Sequence, residues 1–241
     1  MITSRQNPLI KYIKSLADKK VRDELGVFTV EGVKSVNESI ASGFNVSKIV
    51  GTESGLSQVN FGTIPTETVS DDVFKCISTD VSPQGVLAVL DKPVYGEISQ
   101  SGNCIFLDGV SDPANVGAII RTAAASGYLN VFIANGADAF SPKSARASMG
   151  GIFRVRIYTG SNEILSNMIK MPFVIADMNG ENVFDFKVNE SVCIVIGNEA
   201  NGVSEFMRNK ATYTLKIPME NGMERLNAGV AAGILMYQLK K

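Results

Sequence analysis

The sequence predicts an α/β fold, in which a small N-terminal α/β module precedes a larger α/β domain built on a mostly parallel sheet. Three observations predict it. Short unbroken apolar runs such as "CIFLD", "NVFIA" and "CIVIG" have the length of strands buried on both faces. Stretches with apolar residues at helical spacing separate them. Gly, Asn, Asp and Pro mark most of the junctions.

Along the chain, Asn7-Pro8 supplies a helix N-cap and first residue. Leu9, Ile10, Ile13 and Leu16 then share one side of that helix and lysines the other. "VFTVEG" reads as a strand, "VKSVNESIASG" as a helix closed by Gly43, and "VSKIVGT" as a strand. A helix near "SDDVFKCIS" and the strand "GVLAVLD" complete a module over residues 1–91. "KPVYGEISQSGN" mixes Pro, Gly and polar residues and marks a linker over 92–102. The second domain, 103–241, has strands expected at "CIFLDG", "NVFIAN", "FRVRIY", "PFVIADM", "SVCIVIGN" and "ATYTLKIPM". A final helix is expected from about Leu226 to Leu239. The run "LDGVSDPANVGAIIRTAAASG" joins a strand end, a polar turn and a helix. Ala118, Ile119, Ile120, Ala123, Ala124 and Ala125 predict a buried helix face, and Arg121 among them is expected to need a partner.

Composition excludes several classes of chemistry. The chain has no histidine, which removes Ser-His-Asp and Cys-His catalysis, His-ligated zinc and His bases; no metal site is expected. Cys76, Cys104 and Cys193 are far apart and form neither a zinc pattern nor a disulfide framework, as expected of core thiols in a reducing cytoplasm. No apolar run is long enough to span a bilayer, so no membrane partner is expected. Net charge is −1, and the basic residues are unevenly spread. Arg5, Lys11, Lys14, Lys19, Lys20 and Arg22 face a single acid, Asp18, in the first 22 residues. Lys143, Arg146, Arg154 and Arg156 fall in an acid-free stretch. Either cluster alone reads as a solvated face; together they predict a local phosphate-binding surface.

Three segments of the second domain put polar, Gly-containing turns at strand ends, where ligands collect in open α/β sheets. They are Leu107 to Gly127, "VIGNEANGVSE" and "KIPMENGMERLNAGVAAGI". Gly197 and Gly202 have P-loop spacing, but Val203 stands in place of the lysine, which argues against a triphosphatase. No G-x-G-x-x-G follows a strand, so a dinucleotide site lacks its fingerprint.

These segments resemble the SpoU (TrmH) branch of the SPOUT RNA methyltransferases. Asn115-x-Gly117-x-x-x-Arg121 matches the first motif. Ile196-Gly197-Asn198-Glu199 with Gly202-Val203-Ser204 matches the second. Ile217-Pro218-Met219, Leu226-Asn227 and Val230-Ala231-Ala232 match the third. "SPKSARASMGGIFRV" is also typical, and "ITSRQNPLIKYIKSL" with "FTVEG" resembles the family's RNA-binding N-terminal module.

The resemblance implies S-adenosyl-L-methionine as cofactor and the ribose 2′-hydroxyl of a structured RNA as methyl acceptor. Ribosomal RNA is expected, with transfer RNA as the alternative. It implies a homodimer and a C-terminal trefoil knot, which pattern reasoning alone argues against. Arg121, Asn115, Glu199 and Asn227 are the implied catalytic residues, and Gly197, Ile217 and Leu226, with Ile196 and Met219 adjacent, the cofactor site. Arg5, Lys11, Lys14, Lys143 and Arg146 are the expected RNA contacts. A guanidinium stays protonated, so Arg121 is expected to clamp a phosphate or stabilise a developing alkoxide. Glu199 either positions substrate or accepts the proton.

One departure matters: where the family usually reads Glu-Ser-Leu-Asn-Val-Ser, this chain has Glu224-Arg225-Leu226-Asn227-Ala228-Gly229. Arg225 then either grips an RNA phosphate or marks a weakly active member. A non-catalytic RNA-binding or ribosome-assembly factor is the alternative function.

Overall fold

Two sheets follow one another along the chain, and a single apolar core joins them. The computed structural model describes residues 1–96, 98 and 100–240. The N-terminal module runs α1 (Pro8–Ser15), α2 (Lys19–Leu25), β1 (Val27–Glu31), α3 (Val33–Ala41), β2 (Val46–Gly51), α4 (Glu53–Leu56), β3 (Thr66–Thr68), α5 (Asp71–Ile77) and β4 (Val86–Asp91). Asn7 caps α1 as expected, its side chain accepting from the Leu9 N–H at 2.9 Å. The sheet order is β1-β4-β2-β3, with β4 antiparallel to both β1 and β2 and only β2–β3 parallel. Periodicity missed α2, α4 and β3. The first is split from α1 by the Asp18 cap, and the other two are too short and polar to show a period.

The second domain runs β5 (Cys104–Asp108), α6 (Pro113–Ser126), β6 (Asn130–Ala134), α7 (Pro142–Ala147), β7 (Arg156–Gly160), α8 (Asn162–Asn167), β8 (Phe173–Asn182), β9 (Cys193–Gly197), α9 (Glu205–Lys210), β10 (Ala211–Lys216) and α10 (Ala228–Gln238). Its six-stranded sheet has the order β10-β8-β9-β5-β6-β7 and is parallel throughout. β7 begins three residues later than expected because Gly151–Phe153 forms a 3₁₀ turn, entered through Met149 and Gly150 at positive φ. α10 begins at Ala228 rather than Leu226 because Asn227 caps it. Of the expected linker, Glu97 and Ser99 lie outside the described residues. Its Tyr95 ring packs 5.5 Å from Tyr158, and Gln100 donates to the Met168 carbonyl at 3.0 Å. Among the described residues, no helix is long and apolar enough to cross a membrane.

The two modules meet through α7 and the segments on either side of it. Phe28 packs edge-on against Phe140 at 5.0 Å, and Phe44 against Phe153 at 5.2 Å. Beside them Arg22, 2% exposed, pairs with Asp138, 8% exposed. Its Nε and Nη2 donate to one Asp138 oxygen at 3.1 and 2.6 Å, and Nη1 donates to the carbonyls of Leu16 and Ala17. Arg22 therefore leaves the basic surface cluster and belongs to the interior.

A buried charge with its partner removed is costly, whereas an apolar replacement of both partners is often tolerated. Asp138→Ala is expected to destabilise the chain by about 3–5 kcal/mol in urea unfolding at pH 7. Arg22→Met with Asp138→Leu should lose far less. Equal losses in the two variants would mean that the charge itself is not what the site holds in place.

Candidate active site

β5 and β9 are neighbours in register, with Asp108 opposite Gly197, so the turns that follow them emerge side by side. Asp108 is buried and binds both flanks: one oxygen accepts from the Ser204 N–H at 2.6 Å, the other from the Asn162 amide at 2.8 Å. Sequence reasoning passed over this residue, although a carboxylate ending an otherwise apolar strand was a visible signal. After β9 the chain folds back at once. Asn198 and Gly202 exchange backbone hydrogen bonds at 2.9 and 2.8 Å, and the Asn198 amide donates to the Gly109 carbonyl at 2.8 Å. A Cβ on Gly197 would overlap the backbone of Gly202 and Val203. Glycine at 197 therefore lets its own turn fold back closely.

That turn carries Glu199. One of its oxygens accepts from the Ser111 N–H and hydroxyl at 3.0 and 2.9 Å. The other accepts from the Asp112 N–H at 3.2 Å and the Asn115 amide at 2.9 Å. The Asn115 amide oxygen accepts from Asn227 at 2.9 Å, and the Asn227 oxygen accepts from the Gly229 and Val230 N–H groups that open α10. One chain of hydrogen bonds therefore joins all three sequence motifs. Partial burial raises the Glu199 pKa, but the Asn115 amide and the backbone N–H groups outweigh it and hold the carboxyl down at about 2.

A cavity of about 430 Å³ opens beside this network. Ile196, Gly197, Ile217, Met219 and Leu226 all line it, as do Glu199 and Asn227. At its other end Arg208 pairs with Asp177 and donates to the Val203 carbonyl at 3.0 Å. That guanidinium pulls the Asp177 carboxyl below its ordinary value. Arg225 also lines the cavity, and its guanidinium donates to the carbonyls of Ala200 and Glu199 at 2.5 and 3.2 Å. It braces the Glu199 turn from the third motif, where a phosphate contact was one expectation.

Asn115 stands behind Glu199, and Arg121 lies outside the cavity lining. Six residues after Asn115, Arg121 is about 9 Å farther along the helix. The expectation that it sits on a buried face is corrected: Ile119, Ile120 and Ala123 are buried, but Arg121 and Ala125 are exposed. Among the described residues the Arg121 side chain makes no hydrogen bond or ion pair. Gly117 has a packing reason, since a Cβ there would overlap the Ser144 carbonyl of α7. α10 packs on α6, where Gly229 faces Ala118 and Gly233 faces Thr122.

Of the expected RNA contacts, Arg5, Lys11 and Lys14 are exposed. Lys143 pairs with Asp112 at 2.9 Å. Arg146 reaches across to the N-terminal module, donating to the Thr79 carbonyl at 3.1 Å and lying 3.4 Å from Asp80.

The Glu199 network predicts a defined pH dependence. Because the native carboxyl titrates at about 2 against an ordinary 4.5, its contribution to stability is complete above pH 4.5 and is lost as pH falls toward 2. Glu199→Gln should unfold at lower urea than the unmodified chain at pH 7, and that gap should close between pH 4.5 and 2. A gap that stays constant over this window would show that the charge plays no part.

Comparison with known proteins gives the chain its relatives. Residues 102–237 match the SpoU rRNA Methylase family, and residues 7–88 match the MRM3-like substrate binding domain. The 23S rRNA (guanosine(2553)-2'-O)-methyltransferase RlmP of Bacillus subtilis is 30% identical over 246 residues, covering 99% of this chain and 98% of its own. The 23S rRNA (uridine(2479)-2'-O)-methyltransferase of Streptomyces viridochromogenes is 28% identical, covering 98% and 90%. The solved AdoMet-bound rRNA methyltransferase from Sinorhizobium meliloti has a TM-score of 0.88 at 26% identity, covering 98% of this chain and 95% of its own. The all-parallel sheet, with α10 packed on α6 and β9, is consistent with the trefoil-knotted SPOUT domain that the motifs imply. With its three motifs joined by one hydrogen-bond network and both modules matched, the chain belongs to the SpoU rRNA methylase family.

Proposed function

We propose that this chain transfers a methyl group from S-adenosyl-L-methionine to a ribose 2′-hydroxyl of structured RNA, ribosomal RNA in particular. The observation that carries the proposal is the cavity of about 430 Å³ built from the second and third motifs, with the first tied to its wall through Glu199. Its volume falls within the roughly 300–1,000 Å³ of small-molecule sites. The donor set fits the cofactor. Ile196, Ile217 and Leu226 offer apolar walls to an adenine, and Glu224 offers a carboxylate to a ligand bearing a sulfonium and an ammonium. When bound, the cofactor supplies a methyl group already activated by the sulfonium.

The protein's own residues have the remaining work of alignment, water exclusion and charge stabilisation. Glu199, anionic at neutral pH and too weak a base to take a ribose proton directly, acts as a positioning residue for the Ser111–Asp112 turn and Asn115. Asn115 and Asn227 pass that position on to α10. Arg121, permanently protonated, exposed and uncommitted, is the group that meets the RNA, either at the phosphate beside the target ribose or at the developing alkoxide. Arg225 supports an organised site rather than a decayed one, since it holds the turn that carries Glu199.

In this reading the N-terminal module holds RNA through Arg5, Lys11 and Lys14, which its exposed face supports. Two chains pair through the face of α10 bearing Val230 and Tyr237, apolar residues 51% and 56% exposed. The free thiols at Cys76, Cys104 and Cys193 fit a cytoplasmic enzyme.

Arg121→Ala is expected to leave the melting temperature and cofactor affinity nearly unchanged while single-turnover methylation of 23S ribosomal RNA falls about a hundredfold or more. Arg121→Lys should recover little, because a point charge lacks the planar fork. Wild-type turnover by Arg121→Ala would remove the residue from the chemistry. Charge reversal at Lys11 and Lys14 should flatten the salt dependence of RNA binding, by roughly one counterion per lost phosphate contact. An unchanged slope would leave both lysines as plain solvated residues.

A further inference from the structure

Between the N-terminal module and Arg121 lies the loop 148–154, and both of its ends are held. On one side is Glu38 of α3. Its Oε1 lies 3.5 Å from Arg154 Nη2, while its Oε2 is buried with no hydrogen-bond partner among the described residues. An unsatisfied buried carboxylate oxygen is costly, so its placement calls for a reason. The oxygen rests on Gly150, where a Cβ would overlap it. Gly150 has φ 82°, and the preceding Met149 has φ 48°, a conformation that a non-glycine residue seldom adopts. Arg154 closes the loop, its Nη1 donating to the Gly150 carbonyl at 2.6 Å. On the other side Gly151 lies against α6, and a Cβ there would stand 2.8 Å from Arg121 Cα and 3.2 Å from its backbone N.

The contact thus runs from Glu38 to Gly150 and from Gly151 to the backbone of Arg121, with no flexible side chain between the two glycines and the helix. We infer that Glu38 and Arg154 are positioning residues for Arg121, through which the N-terminal module sets where that guanidinium stands. The inference rests on the proposed role of Arg121. It explains why an exposed, unpaired arginine can still be held in register: its helical turn is backed by glycine, and the glycine is backed by an ion pair that spans the two modules. A displacement of about 1 Å at a reacting group can cost roughly a hundredfold in rate. Loosening the pair should therefore affect turnover before it affects binding.

The test uses the full-length chain and 23S ribosomal RNA transcribed in vitro. Glu38→Gln, Arg154→Gln and Arg154→Lys are compared in single-turnover methylation, RNA binding, S-adenosylhomocysteine calorimetry and thermal melting. Expected is a fall in turnover of about tenfold for the two glutamine variants and less for Arg154→Lys, with RNA and cofactor affinities within about twofold of wild type. Glu38→Gln should add little to Arg121→Ala in the double variant, the signature of residues acting through one another. Gly151→Ala, which pushes directly on Arg121, should lower turnover even if the Glu38 variants fold poorly. Wild-type turnover in Glu38→Gln and Gly151→Ala, alongside a dead Arg121→Ala, would overturn the positioning inference alone. A fully active Arg121→Ala would instead overturn the role of Arg121 on which it rests. A parallel loss of RNA affinity and turnover in Glu38→Gln would overturn it in favour of simple RNA holding.

Discussion

A carboxylate that accepts from Ser111, Asp112 and Asn115 together can occupy only one position, and Glu199 thereby ties the turn after β9 to the start of α6. Everything at the candidate site is placed relative to that knot of hydrogen bonds. Asn115 donates from its amide nitrogen to Glu199 and accepts from Asn227 at its amide oxygen, which fixes Asn227. Asn227 in turn starts α10, the helix that packs on α6. Arg225 holds the same turn from the other side. The hydrogen bonds outweigh partial burial so strongly that the carboxyl titrates at about 2, which keeps the network charged at any physiological pH.

The two modules pack against each other. Phe28 and Phe44 of the first module meet Phe140 and Phe153 of the second, and the buried Arg22–Asp138 pair sits at the same seam. The exposed basic face of Arg5, Lys11 and Lys14, proposed to hold RNA, then sits on a module packed against the one that carries the cavity. Arg146 and Glu38 add contacts across the seam close to the loop that backs Arg121.

Much of this was legible in the residues. The central strands β5, β6 and β9 declared themselves because both of their faces are covered, which leaves unbroken apolar runs. All five expected cofactor residues line one cavity because the motifs sit at strand ends that the parallel sheet brings together. What failed to show were pairings across long separations. Arg22 counted as surface charge because its partner, Asp138, is 116 residues away. Arg225 invited a ligand role because the groups it binds are backbone carbonyls 25 and 26 residues earlier, which no side-chain pattern reveals. Arg121 was misjudged for another reason: alanines surround it on the helix, and alanine does not tell a buried face from an exposed one. Gly117 and Gly151 serve close approaches to α7 and α6, visible only once those elements are in place.

The most direct test of the account is the identity of the product. The purified chain would be incubated with 23S ribosomal RNA and methyl-labelled S-adenosylmethionine, the RNA digested to nucleosides, and the labelled species separated by chromatography and identified by mass. The account predicts a single 2′-O-methylnucleoside carrying the label. Label on a base, or no transfer to RNA while the cofactor binds normally, would contradict it.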